Sequence, residues 1–212
     1  NKRKGFEAIA NHLVEQGYRS ITLMSTRLPA NVRKKLFWHV SGARDGFKAV
    51  ADRACREDRG IRFHIHDVEP IKAGVPVLEA PDIHPLHVTG YQAMKAIIER
   101  DEVPEALMCQ ADNFALGALR ACAEAGLSVP DQMAITGFEG DPAASVGYVP
   151  LTTVAHPVDE ISKQAIAELI AMSQNRLGPQ KRFVQINGKL IIRQSSLRGS
   201  APVSPVAAVA VP

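Results

Sequence analysis

Residues 106–153 read ALMCQADNFALGALRACAEAGLSVPDQMAITGFEGDPAASVGYVPLTT, and this stretch decides the fold. It begins with the apolar run 106–110, which has the length of a buried strand. Apolar side chains then recur at helical spacing as far as Gly126, a residue type that commonly ends helices. A second apolar run covers residues 133–136. The stretch therefore predicts a strand, a helix and a second strand.

Acidic residues follow both predicted strands. Asp112 or Asn113 comes after the first strand and can cap the helix. The acidic, glycine-rich loop 137–141, GFEGD, comes after the second. A right-handed crossover makes the strands parallel and places Asp112 and Glu139 at the carboxyl edge of the sheet. Because small ligands bind at that edge in open parallel sheets, the pattern predicts an α/β fold with a ligand site there.

The flanking sequence continues the alternation of helices and strands. Further helices are predicted over residues 1–16, 41–56, 90–98 and 159–175, the last capped by Asp159, and further strands over 21–24, 61–66, 75–77, 183–186 and 189–192. Turns are predicted at 70–74 and 187–188. Residues 27–40 are basic and aromatic, which fits either an exposed loop or the rim of a ligand cleft.

The composition is that of a globular protein, with 212 residues and a formal charge of only +3. Cys55, Cys109 and Cys122 lie in apolar or helical settings, a pattern typical of reduced thiols in a cytoplasmic protein. The chain shows neither a signal peptide nor an apolar run of membrane-spanning length. We therefore expect a cytoplasmic protein with no membrane partner.

Sequence motifs along nearly the whole chain match one family in order and spacing. The matching pieces are Gly5, His12-Leu13, Gly17-Tyr18-Arg19, Gly46-Phe47, Gly90-Tyr91, Asp112, Ala115-Leu116-Gly117-Ala118, Gly126-Leu127, Val129-Pro130-Asp131, Gly137-Phe138, Pro150-Leu151-Thr152-Thr153 and Leu190-Ile191-Ile192-Arg193-Gln194-Ser195. The chain thus resembles the effector-binding domain of the LacI/GalR (lactose-repressor) family of bacterial transcriptional regulators.

This resemblance implies a three-layer α/β lobe with a parallel sheet, of the periplasmic-binding-protein-like type. It places residues 1–155 in the carboxyl-terminal lobe, 156–186 in a segment that crosses into the amino-terminal lobe, and 187–198 in the return. Residues 199–212 are expected to be a flexible tail. Family members also have a helix-turn-helix headpiece, which is not seen in this sequence, so the resemblance implies a truncated or incompletely represented regulator.

The resemblance also implies effector-binding positions, and only some of them hold suitable residues. Glu139 keeps the acidic character of the position after Gly137-Phe138. Arg44 lies one residue after a position where the family usually has arginine. Three polar or stacking positions are instead filled by Ala43, Ala111 and Pro85. The candidates are therefore Glu139, Asp112 and Arg44, with a helix cap as the alternative role of Asp112 and a solvated loop acid as that of Glu139.

The family pattern places a dimer contact on this lobe. The candidate interface residues are Tyr148, Phe114 and Tyr91. An exposed tyrosine beside apolar residues is typical of an interface anchor, although Tyr148 can also cover the core edge of its own lobe. The implied partners are a second copy of the chain, a sugar-like or other small effector, and operator DNA bound through the missing headpiece.

No catalytic, cofactor or metal site is predicted. His64 and His66 alternate on a predicted strand, and His84 and His87 are three residues apart, but no cysteine accompanies either pair. Neither a nucleophile elbow nor a phosphate-binding loop occurs. We therefore predict an effector-controlled regulator, most simply a repressor. The alternatives are a solute-binding protein of a transporter and a hydrolase that uses Asp112 and Glu139 as an acid/base pair.

Overall fold

The computed structural model describes residues 1–27, 33–69, 84–174 and 183–199. The predicted turn at 70–74, the predicted strand at 75–77 and the predicted tail from residue 200 onward lie outside the described residues. The helices are α1 Lys2–Glu15, α2 Arg33–Arg56, α3 Pro85–Glu99, α4 Asp112–Glu124, α5 Ala143–Val146 and α6 Val158–Ser173. The strands are β1 Ser20–Thr26, β2 Arg62–Val68, β3 Ala106–Cys109, β4 Ala134–Thr136, β5 Thr153–Ala155 and β6 Lys189–Ile191.

A four-stranded parallel sheet forms the centre of the molecule, in the order β2-β1-β3-β4. Alternate residues of β3 face opposite sides, as expected for a strand covered on both faces. Leu107 packs with α3 and α4 in one core cluster, whereas Met108 packs with α1 and α2 in the other. The structure therefore confirms the three-layer α/β fold.

Several helix boundaries differ from the sequence prediction. Helix α2 begins at Arg33, so the loop predicted over residues 27–40 is wrong from Arg33 onward. Helix α4 ends before Gly126 as predicted, and that glycine has φ +71°. The N-cap of α4 is Ala111, and no side chain caps the helix. The cap predicted at Asp112 or Asn113 is therefore wrong, because the Asp112 carboxylate is directed to other partners.

Helix α6 also begins differently, and its apolar side chains are exposed. It starts at Val158 after Pro157, without the cap predicted at Asp159. None of its residues is buried. The side chains on its apolar face are exposed: Ile161, Ala165, Ile166, Leu169 and Ile170. Within the described part of the chain, this apolar face of α6 has no covering element.

The carboxyl-terminal segment is attached to the main lobe by pairing and by buried hydrogen bonds. The predicted strand 183–186 is wrong, and β6 pairs antiparallel with β5 instead of forming a hairpin. After β6, the Ser196 hydroxyl lies 2.8 Å from His12 Nε2 and 2.7 Å from the Thr152 hydroxyl. Burial lowers the pKa of His12, which favours the neutral imidazole in this network.

Among the helices that the structure describes, none is both long enough and apolar enough to cross a membrane.

Candidate functional site

The carboxyl edge of the parallel sheet brings together the loops that follow β1, β3 and β4. Gln110, directly after β3, joins two of them because its Oε1 accepts a hydrogen bond from the Thr26 backbone N–H at 3.0 Å. Its Nε2 donates to the Thr26 hydroxyl at 2.9 Å. Sequence analysis did not select Gln110, although its place immediately after a buried strand was a usable signal. Gln110 therefore fixes the spacing between the loops that follow β1 and β3.

Asp112 is fully buried and holds the loop after β4 in place. Its Oδ1 accepts from the Thr153 hydroxyl at 2.6 Å, and its Oδ2 accepts from the Asp141 backbone N–H at 2.7 Å. Burial raises the pKa of Asp112, and the hydrogen bonds from Thr153 and the loop amides act in the opposite direction. The carboxylate therefore has internal partners and presents no surface to solvent.

Glu139 lies on that loop in a backbone conformation that non-glycine residues rarely adopt. Its φ is 122°, which costs on the order of 1–3 kcal/mol. The loop is fixed on both sides of this residue, because the Glu139 N–H donates to Val154 O at 2.9 Å and the His156 N–H donates to Glu139 O at 3.1 Å. Its side chain is exposed at the sheet edge. The fold thus maintains a strained conformation that presents a carboxylate.

Lys2 is the principal site residue that sequence analysis missed. Its Nζ lies 5.2 Å from the ring centroid of Phe138 and 6.0 Å from that of Phe6. Burial lowers the pKa of Lys2, and the charge of Glu139 acts in the opposite direction. For Glu139, burial raises the pKa and the charge of Lys2 opposes this rise. The two groups therefore share one electrostatic environment, although they are far apart in the sequence.

Arg44, the third effector candidate, lies on α2. Its guanidinium forms an ion pair with Asp67, the second-last residue of β2, which is in register with Ser25 of β1. The structure therefore joins Asp112 to the loop that carries Glu139, and it places the Arg44 guanidinium at the carboxyl end of β2, on the same edge of the sheet.

The three interface candidates differ in how much surface they offer. The Phe114 side chain is fully buried in the core beneath α4 and has no surface for a partner, which contradicts its predicted place in the interface. Tyr91 is half-buried, and its hydroxyl donates to Glu124 at 2.6 Å. Tyr148 is 64% exposed. Tyr91 and Tyr148 therefore remain as candidates.

The described residues of the types that bind metal ions do not form a cluster. Over the ranges that the structure describes, no three His, Cys, Asp or Glu residues come together in a way that could hold a metal ion. The cysteines are free thiols, with Cys109 and Cys122 buried and Cys55 exposed. Burial raises the pKa of Cys122 to about 12, which keeps this thiol protonated.

Comparison with known proteins matches residues 10–196 to the family described as the periplasmic binding protein-like domain. The transcriptional repressor MelR of Bacillus subtilis is 34% identical over 152 residues, which cover 68% of this chain and 42% of MelR. The transcriptional regulator MalR of Streptomyces coelicolor is 28% identical over 200 residues, covering 94% of this chain and 51% of MalR. The chain thus spans about half the length of these relatives.

Solved structures show the same architecture. The lac repressor dimer bound to operator and the anti-inducer ONPF aligns with a TM-score of 0.70 at 20% identity, covering 93% of this chain and 51% of that one. The transcription regulator GntR from Chromobacterium violaceum aligns with a TM-score of 0.68 at 26% identity, covering 92% and 63%. The chain belongs to the periplasmic binding protein-like domain family and is an effector-binding domain of the LacI/GalR type.

Proposed function

We propose that this chain is the effector-sensing and dimerisation domain of a cytoplasmic LacI-family transcriptional regulator, most simply a repressor. The observation that carries the proposal is Glu139, a strained and exposed carboxylate at the carboxyl edge of a parallel sheet. Strained residues that the surrounding structure holds in place cluster at ligand sites, and this edge is where small ligands bind in such folds.

The proposed domain organisation keeps residues 1–155 as the carboxyl-terminal lobe. Residues 156–186 cross into an amino-terminal lobe, and residues 187–198 return. The exposed apolar face of α6 supports the crossing, because a helix with this pattern is normally covered by another element. The pairing of β6 with β5 supports the return.

The proposed mechanism is a shift between two populations of lobe closure. A small molecule that binds one closure angle more tightly increases the population of that state. In a homodimer this changes the spacing of DNA-binding headpieces and hence the affinity for operator half-sites. The role is binding rather than catalysis. The burial of Asp112 opposes the acid/base pair that a hydrolase would need, since this carboxylate already accepts from Thr153 and Asp141.

We expect Glu139→Gln to uncouple the regulator from its effector. The gene product that carries this chain should occupy a specific DNA segment in cells, and a small molecule should change this occupancy. Glutamine keeps the side-chain shape but removes the charge, so the effector concentration for a half-maximal response should rise about tenfold. Chromatin immunoprecipitation across an effector titration measures both quantities.

The matched control is Asp52→Asn, which neutralises an exposed acid on α2 and should leave the response unchanged. If the protein occupies no specific DNA segment, the regulator assignment fails. A Glu139→Gln response equal to that of the unaltered protein would remove Glu139 from the effector site.

The dimer surface is proposed to include Tyr148 and Tyr91. We expect Tyr148→Asp to convert dimers to monomers, because a charge buried in an apolar interface without a partner is strongly destabilising. Sedimentation velocity measures the result, and circular dichroism verifies the fold. Lys48→Asp places the same residue at an exposed position of α2, outside the proposed surface, and serves as the control. A Tyr148→Asp variant that still sediments as a dimer argues against this surface.

A further inference from the structure

Two charged groups near the sheet edge, the Lys2 ammonium and the Glu139 carboxylate, have no hydrogen-bonding partner among the described residues. Among the residues that the structure describes, Lys2 Nζ has aromatic neighbours, with the ring of Phe138 at 5.2 Å, but no hydrogen-bond acceptor. Within the same ranges, the Glu139 carboxylate has no hydrogen-bond donor. The two groups do not form an ion pair with each other, although each influences the titration of the other.

Both groups are therefore available to a ligand. The Lys2 ammonium is half-buried and has three N–H donors, while the exposed Glu139 carboxylate accepts hydrogen bonds. Burial shifts the pKa of Lys2 downward and that of Glu139 upward, so both shifts favour the neutral form. Titratable groups with shifted pKa values at the edge of a parallel sheet where ligands bind are candidates for a binding site.

The aromatic contacts do not satisfy Lys2. A cation above a ring is attracted to the ring electrons but forms no hydrogen bond with them. The Phe138 ring is also held independently of Lys2, because it stacks on Phe6 with centroids 4.8 Å apart and meets the His156 ring edge-on at 5.4 Å. The ammonium is therefore an addition to an already packed aromatic cluster.

We propose that the effector carries both an anionic group and hydroxyl groups. The anionic group, a carboxylate or a phosphate, binds Lys2, and the hydroxyl groups donate hydrogen bonds to Glu139. This inference rests on the proposed function, since it assigns the ligand class of the same site. The expected ligands are small hydroxylated acids or sugar phosphates. Lys2 supplies the preference for the anion, and Glu139 supplies affinity for the hydroxyl groups of anionic and neutral sugars alike.

The test uses the purified gene product that carries this chain and a panel of hexoses and pentoses, each with its matched acid and its matched phosphate. Isothermal titration calorimetry should show at least about tenfold tighter binding of one anionic series than of the neutral sugars, because a charge-assisted hydrogen bond is worth about 1.5–3 kcal/mol. The comparison of acids with phosphates identifies the anionic group. Lys2→Met should abolish the preference, and Lys2→Arg, which keeps the charge, should retain it.

Lys4→Met is the matched control, because Lys4 is an exposed lysine in the same first turn of α1. Glu139→Gln should weaken neutral and anionic ligands to a similar extent. The proposal fails if neutral sugars bind as well as the anions, if Lys2→Met keeps the preference, or if no anion binds. In each case the DNA occupancy of the gene product and its response to a small molecule still decide the proposed function separately.

Discussion

Gly117→Ala should lower the free energy of unfolding by about 2–4 kcal/mol. Gly117 lies where α4 crosses α3, and a Cβ at this position would overlap the backbone carbonyl oxygen of His87 and lie 2.7 Å from the Tyr91 nitrogen. Gly90 has the reciprocal position on α3, facing the Phe114 carbonyl. Because both obstacles are backbone atoms of a helix, one whole helix must move and the core between them must loosen.

Chemical denaturation with urea measures this loss, provided that the m-value is unchanged. Gly147→Ala is the matched control, since its φ of −64° suits any residue and an added Cβ would lie 3.6 Å from the Val149 carbonyl oxygen, an ordinary van der Waals contact. Alanine also has fewer conformations than glycine in the unfolded chain, so the control should be neutral or slightly stabilising. Equal stability of the Gly117→Ala and Gly147→Ala variants would contradict the close crossing of α3 and α4.

The sequence predicts the central fold well because local patterns determine it. The apolar run that became β3 and the helical spacing up to Gly126 depend only on neighbouring residues. The start of α2 at Arg33 was missed because its first turn is basic and lacks an apolar period. Residues 183–186 have an apolar pattern that suits a strand, but β6 alone pairs with β5 there.

The site was predicted less completely, for reasons of distance along the chain. Asp112 and Glu139 were placed at one sheet edge, as the parallel topology requires. Asp112 is bonded to the Thr153 hydroxyl and to the Asp141 amide, and both come later in the chain. The sequence therefore could not distinguish a ligand-facing acid from an internal one. Lys2 reaches the site only through the packing of α1 on the sheet, which no local motif encodes.

Asp112→Ala should lower the free energy of unfolding by about 2–4 kcal/mol, in the absence of any ligand. Removal of the carboxylate leaves the Thr153 hydroxyl and the Asp141 N–H without their acceptor, and both lie where water has little access. The loop that carries Glu139 loses its side-chain attachment to α4 at the same time and keeps only the backbone hydrogen bond from the residue 112 N–H to the Phe138 carbonyl oxygen. Urea denaturation measures the stability, and hydrogen exchange of the Asp141 amide should report faster local opening.

Asn113→Ala is the control, because Asn113 occupies the same first turn of α4 and is only half-buried. Its replacement should cost well under about 1 kcal/mol. Asp112→Asn should fall between the two, since an amide keeps one acceptor oxygen but turns a donor toward the other N–H. If Asp112→Ala were as stable as Asn113→Ala and lost only effector binding, Asp112 would be a ligand contact. A large loss without ligand makes it the residue that positions Glu139.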